Sequence, residues 1–173
     1  MARQIEVRRH TDNEGDELTA EGVKAALDIG SRLSGDYDVL VSTGTQRVTQ
    51  TLACFLAGLG QRVPNGVLVE HGLRSDEEER WRAAYAEAGS GELDALRAAD
   101  PDLFEEDSAA LGAALRRVLD FLADGQRALV VGHSPMSEAA IFHVTGERVP
   151  PLSKGAGVAV VAEGERFRVT ELN

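Results

Sequence analysis

The chain has 173 residues, 43% hydrophobic and 27% charged, which suits a single domain over 1–173 with a core of its own. Its net charge of −11 disfavours nucleic acid or an anionic membrane as a partner, and no apolar run is long enough to span a bilayer. The lone Cys54 excludes an internal disulfide framework; with no secretory leader pattern it points to a reducing cytoplasm, and its apolar neighbours to a buried thiol.

Alternation predicts a first strand over Gln4–His10. The acidic run Asp12–Glu17 reads as a solvated loop. From Thr19, a good N-cap, Val23, Ala26, Leu27, Gly30 and Leu33 follow helical spacing, and Gly35 stops the helix. Tyr37–Ser42 is a second strand, too apolar to have a face in water. Thr45–Leu59 returns to helix, and Gly66–Val69 is a short third strand. Ser75–Ala88 reads as a helix whose Trp81 and Tyr85, at i,i+4, are core contacts. Glu92–Ala99 gives another turn or two before Asp100-Pro101 breaks it. Asp107 or Ser108 then caps a helix with the stripe Leu111, Leu115, Val118, Leu119 and Leu122. Arg127–Val131 is a fourth strand and Pro135–Val144 a helix. Gly157–Ala162 and Arg166–Glu171 close the chain as a hairpin.

Apolar strands alternating with helices predict an α/β three-layer sandwich, a mostly parallel central sheet with helices on both faces. Ligands of such sheets sit beyond the carboxyl ends of the strands. Arg9 and His10 end the first strand, Arg47 follows the second, Glu70 ends the third and His133 follows the fourth. All five therefore fall at one edge of one sheet.

Those residues suit phosphoryl transfer. A neutral imidazole, His10, can attack phosphorus and form a phosphohistidine, provided a backbone carbonyl holds its other nitrogen. Arg9 and Arg47 offer planar, charge-assisted donors to the phosphoryl oxygens. The net negative charge of the chain requires this cluster to act locally, within a screening length of roughly 10 Å. His71 and His143 have no comparable setting. No P-loop, Rossmann turn, EF-hand or zincin spacing is present, so neither a metal nor an organic cofactor is expected.

Arg9-His10, Leu18-Thr19-Ala20-Glu21-Gly22, the segment Ser42 to Thr51 around Arg47, and Val130-Val131-Gly132-His133-Ser134 resemble, in order and context, the histidine phosphatase superfamily that includes the phosphoglycerate mutases. The resemblance implies hydrolysis of a phosphate monoester through phosphohistidine on His10, without metal. It implies Arg9, Arg47 and His133 as phosphate-binding groups, His133 as a positively charged donor, and Glu70, in Leu68-Val69-Glu70, as proton donor to the leaving group. The segment that usually follows that glutamate is replaced by His71-Gly72-Leu73-Arg74, which brings in Asp76 and Glu77 as alternative acids. Thr11 stands where Gly or Ala is usual, so it narrows the pocket mouth or donates to phosphate. Arg8 replaces an apolar residue and, by alternation, points away as a surface charge.

The signals for substrate conflict. His133-Ser134-Pro135 resembles the small phosphohistidine-phosphatase branch, whereas the long helical stretch before it resembles the broad-specificity branch. A small phosphorylated molecule and a phosphoprotein both fit. A mutase activity is the less favoured enzyme, and a silent phospholigand-binding domain is the alternative from outside catalysis.

Overall fold

Helical crossovers dictate the sheet. In the computed structural model, which describes residues 1–172, β1 (Arg3–Arg9) leads to a small hairpin, β2 (Asn13–Glu14) and β3 (Glu17–Leu18), and then to α1 (Ala20–Arg32). Next come β4 (Val39–Ser42), α2 (Gln46–Leu59), β5 (Val67–Val69) and one 3-10 turn at His71–Leu73. A helical stretch follows, α3 (Glu78–Ala88), α4 (Leu93–Ala99) and α5 (Pro101–Phe121). The chain ends with β6 (Arg127–Gly132), α6 (Met136–Thr145), β7 (Gly157–Glu163) and β8 (Arg166–Leu172).

Six strands form one sheet in the order β5-β4-β6-β1-β7-β8. The first four of these run parallel, while β7 pairs antiparallel with β1 and with β8. The parallel order ends where β7 pairs antiparallel with β1, and the two-residue turn between Glu163 and Arg166 then obliges β8 to return antiparallel to β7.

One face of the sheet carries the larger core, where Ile5, Val7, Val39, Val41 and Val130 meet Leu111, Leu115, Val118 and Leu119 of α5 and Ile141 of α6. The other face packs Leu40, Leu129 and Val131 against Ala26 of α1 and Val48, Leu52 and Phe55 of α2. Alternate residues of β4 and β6 therefore serve opposite layers, giving the expected three-layer α/β sandwich. Gly22 lets α1 start hard against the loop after β1: a Cβ there would stand 2.0 Å from the Asp12 carbonyl oxygen.

Several local expectations are corrected. The helix expected from Asp107 or Ser108 begins at Pro101, because Asp100 caps it by accepting from the Leu103 N–H at 3.1 Å. Asp100-Pro101 does not merely break the preceding helix; it starts the next with a capping carboxylate and a proline in the first turn. Part of the acidic loop is the β2–β3 hairpin. The Cys54 thiol is partly exposed rather than buried. Arg8 does point to the face opposite Arg9, but it is buried there, 2.6 Å from Glu6 and 2.9 Å from the Gly155 carbonyl. Glu6 also accepts from the Tyr37 hydroxyl at 2.8 Å, so burial and this carboxylate together push the Tyr37 phenol up.

Candidate active site

Pairing of β1 with β6 sets the site's first dimension. Arg9 lies opposite Gly132, and the His10 N–H donates to the Gly132 carbonyl at 3.1 Å. The rings of His10 and His133 consequently meet edge to face, 5.6 Å between centroids. Both residues are buried, and both line a cavity of about 680 Å³ at the carboxyl ends of the parallel strands, together with Arg9 and Arg47.

His10 Nδ1 is 2.8 Å from the Thr11 carbonyl. A carbonyl can only accept, so Nδ1 carries the hydrogen and Nε2 keeps its lone pair, the tautomer an attacking imidazole needs. Burial, reinforced by Arg47 and Arg9, lowers the His10 pKa to about 4. Thr11 does not donate towards the cavity; its hydroxyl donates to the Gly22 carbonyl at 2.8 Å, which ties the nucleophile's loop to α1.

His133 is held from both sides. Arg47 Nη2, a donor only, lies 3.2 Å from Nδ1, so Nε2 carries the hydrogen and donates to Thr43 Oγ1 at 2.9 Å. Burial, then the charges of Arg47 and His10, brings its pKa to about 3. Burial first, and the Arg47 charge second, thus favour a neutral His133 ring in this arrangement. We expect proton NMR titration to find both imidazoles neutral at pH 6, with midpoints near 4 and 3 for His10 and His133. A midpoint near 6.5 for either would mean that its ring is solvated rather than buried.

Arg47 sits in the first turn of α2, and its other guanidinium nitrogen is 2.8 Å from Asp16. The same carboxylate accepts from the backbone N–H groups of Gln46 and Arg47 at 3.2 Å each, capping a helix whose Thr45 makes no side-chain cap. Gly44, at φ +94°, makes the tight turn into α2; a Cβ there would meet His71 Nδ1 at 2.7 Å. His71 thus packs beside the loop, and His143 packs against Gly112 of α5, both outside the cavity.

Glu70 is not brought to the cavity with the other four. Its carboxylate is 2.6 Å from Arg117 and accepts from the Gly72 N–H at 2.9 Å, and these partners hold it below the usual carboxylate range. Asp76 and Glu77 do not line the cavity either. Glu78 does, facing Arg74 at 3.0 Å, Arg82 at 3.7 Å and Arg47 at 3.9 Å. The outer wall adds Trp81 and Tyr85; of this pair only Trp81 is the expected core contact, whereas Tyr85 is half exposed and lines the cavity instead.

Sequence reasoning passed over Thr43, Asp16 and Glu78, although Thr43 lies inside the segment that singled out Arg47. Four arginines, Arg9, Arg47, Arg74 and Arg82, face one another across a cavity in a chain of net charge −11. Among the described residues no cluster of three His, Cys, Asp or Glu is placed to hold a metal, and no helix is long and apolar enough to cross a membrane.

The sheet order and layers are those of the phosphoglycerate mutase-like histidine phosphatase fold. Among the solved structures that share it, the phosphoglycerate mutase from Bacillus anthracis str. Sterne is 18% identical, with a TM-score of 0.75 over 99% of this chain and 92% of that one. A mycobacterial glucosyl-3-phosphoglycerate phosphatase is 17% identical, with a TM-score of 0.63 over 100% and 99%. The protein histidine phosphatase SixA, complexed with tungstate, is 19% identical, with a TM-score of 0.58 over 96% and 94%. No protein-family model and no curated protein sequence matches the chain.

Proposed function

We propose that the protein hydrolyses a phosphate monoester through a phosphohistidine on His10. The observation that carries this reading is the His10 tautomer: Nδ1–H is spent on the Thr11 carbonyl, leaving the Nε2 lone pair beside Arg9, Arg47 and His133. In the first step Nε2 bonds to phosphorus as the P–O bond to the leaving group breaks. In the second, water attacks the same phosphorus, the P–N bond breaks, and His10 is regenerated. Arg9 and Arg47 offset the charge on the equatorial oxygens. A dianion beside His133 opposes the effect of burial, so the ring takes a proton and donates. The localisation we propose is cytoplasmic, and the substrate a soluble phosphorylated molecule or phosphoprotein.

A second reading, a protein phosphohistidine phosphatase, is favoured by the carboxylates. Glu70 is occupied by Arg117 and Glu78 by three arginines. An alkoxide leaving group needs a proton from the enzyme, whereas a phosphohistidine whose other ring nitrogen already carries a proton releases a neutral imidazole as the P–N bond breaks. The likeness to SixA and the His-Ser-Pro sequence support the same reading.

Turnover of nitrophenyl phosphate in the presence of chelator, with acid-quenched trapping of labelled enzyme, tests the proposal. Acid-labile phosphate on the wild type supports it; vanadate binding without turnover would assign the chain to the silent phospholigand-binding domains. Glu70→Gln is expected to lower turnover of alkyl and nitrophenyl phosphates by the same small factor. A loss confined to the alkyl ester would make Glu70 the proton donor after all.

A further inference from the structure

His133 has one neighbour for each ring nitrogen, and only one of the two belongs to the phosphoryl-binding set. Arg47 Nη2 stands 3.2 Å from Nδ1, and Thr43 Oγ1 stands 2.9 Å from Nε2. A guanidinium cannot accept, so Nδ1 presents its lone pair and the ring hydrogen on Nε2 goes to the threonine oxygen. The hydroxyl keeps its own hydrogen, with Thr45 Oγ1 3.4 Å away. Thr43, Thr45 and His133 are all buried, and Thr43 is the one partner of Nε2 among the described residues. A buried N–H deprived of its acceptor is costly, so this hydroxyl is what lets the ring stay where it is.

The sheet delivers the hydroxyl to the imidazole. In the parallel β4–β6 pairing Val41 lies opposite Val130, so Thr43 and His133 rise side by side from the ends of neighbouring strands. The turn that carries Thr43 is braced as well. The Ser42 hydroxyl accepts from the Gly44 N–H at 3.0 Å and meets Thr49 of α2 at 3.1 Å. Arg47 and Thr43, which hold opposite nitrogens of one ring, thus come from a single short segment.

We infer that Thr43 is a positioning residue: its hydroxyl anchors His133 through Nε2–H and so makes Nδ1 the nitrogen that serves the phosphoryl group. The inference rests on the reading of His133 as a phosphate-binding group. A half-turn of the ring about χ2 would set carbon against both Arg47 and Thr43, so the two contacts select one orientation. When phosphoryl oxygens draw the Arg47 guanidinium away from the ring, Nδ1 takes a proton from solvent. The imidazolium then donates from both sides, Nε2–H to Thr43 and Nδ1–H to a phosphoryl oxygen. Thr43 itself touches no reacting atom.

The experiment compares wild type, Thr43→Val, Thr43→Ser, His133→Ala and the double variant Thr43→Val/His133→Ala. It reads kcat and KM for nitrophenyl phosphate, orthovanadate affinity by calorimetry, and the ring nitrogens of His133 by nitrogen-15 NMR. In the free wild type the hydrogen should sit on Nε2, with Nδ1 bare, and vanadate should add a hydrogen to Nδ1. Thr43→Val keeps the shape and removes the acceptor. It is expected to weaken vanadate binding about 10-fold and to lower kcat/KM about 100-fold, the scale of a misdirected catalytic group. Thr43→Ser restores the hydroxyl and should recover most of both losses. Added to His133→Ala, Thr43→Val should cost nothing further, because it acts through that ring. Unchanged vanadate affinity in a folded Thr43→Val would overturn the inference, as would multiplying losses in the double variant or a folded Thr43→Ser as impaired as the valine variant. So would a hydrogen on Nδ1 in the free wild type, a result that does not depend on any variant folding. Vanadate binding without turnover in the wild type would refute the proposed hydrolysis yet leave the binding and NMR comparisons intact; no vanadate binding at all would remove both.

Discussion

His10→Ala is expected to cut turnover by about ten-thousand-fold or more and to prevent trapping of phosphoenzyme. Losing the nucleophile of a two-step mechanism removes the covalent path altogether, and what survives is the residual effect of binding and charge. The variant should keep its fold, because the side chain contributes one hydrogen bond, to the Thr11 carbonyl, worth about 1 kcal/mol. It should also keep its affinity for inorganic phosphate within a few fold, since Arg9, Arg47 and His133 remain. Steady-state turnover near the wild-type value would remove His10 from the mechanism.

The largest effect on stability is expected from Glu6→Ala. Glu6 is 4% exposed and gathers Arg8 at 2.6 Å, the Tyr37 hydroxyl at 2.8 Å and Arg127 at 3.8 Å beneath the α1–α2 layer. Removing it strands a buried guanidinium and a buried hydroxyl together. Breaking a buried pair by deleting one partner costs about 3–5 kcal/mol, a large share of the roughly 5–15 kcal/mol that holds a domain folded. The urea midpoint should fall accordingly. Replacing both members of the closest pair, Glu6→Leu with Arg8→Met, should cost less than the single change, because the buried Arg8 charge is removed along with its partner, while Arg127 keeps the Gly35 carbonyl. A loss below about 1 kcal/mol for Glu6→Ala would mean that water reaches Arg8.

The order of strands and helices was legible from apolar spacing, and the site edge from where Arg9, His10, Arg47 and His133 fall along it. Both depend on short-range pattern. What the sequence hid depends on contacts distant along the chain. Arg8 follows strand alternation, but alternation says only which face a residue takes; that this face is covered depends on α1 and α2, and on a carboxylate two residues back to neutralise it. Asp16 looked like solvated charge because its partner, the start of α2, lies 30 residues on. Glu70 sits at the right strand end, yet the direction of its side chain is decided by Arg117, 47 residues away on α5. In the case of Asp100-Pro101 the signal was present and misread: the same two residues end α4 and open α5.

The position of β1 in the sheet has a consequence for how activity is lost. It is the strand at which parallel order gives way to antiparallel, paired along its length with β6 on one side and β7 on the other, and covered on both faces. Proteins open piecemeal, and the cheapest openings are confined to edges, termini and loops with few buried contacts. The nucleophile and the first arginine are carried on the opposite kind of segment, one whose amides exchange with solvent only when nearly everything else has come apart. Fraying of the three-residue edge strand β5 or of the outer helices can change how substrates enter without disturbing the reacting groups. Loss of chemistry and loss of the folded state should therefore coincide, and the catalytic edge belongs to the last cooperative unit to dissolve.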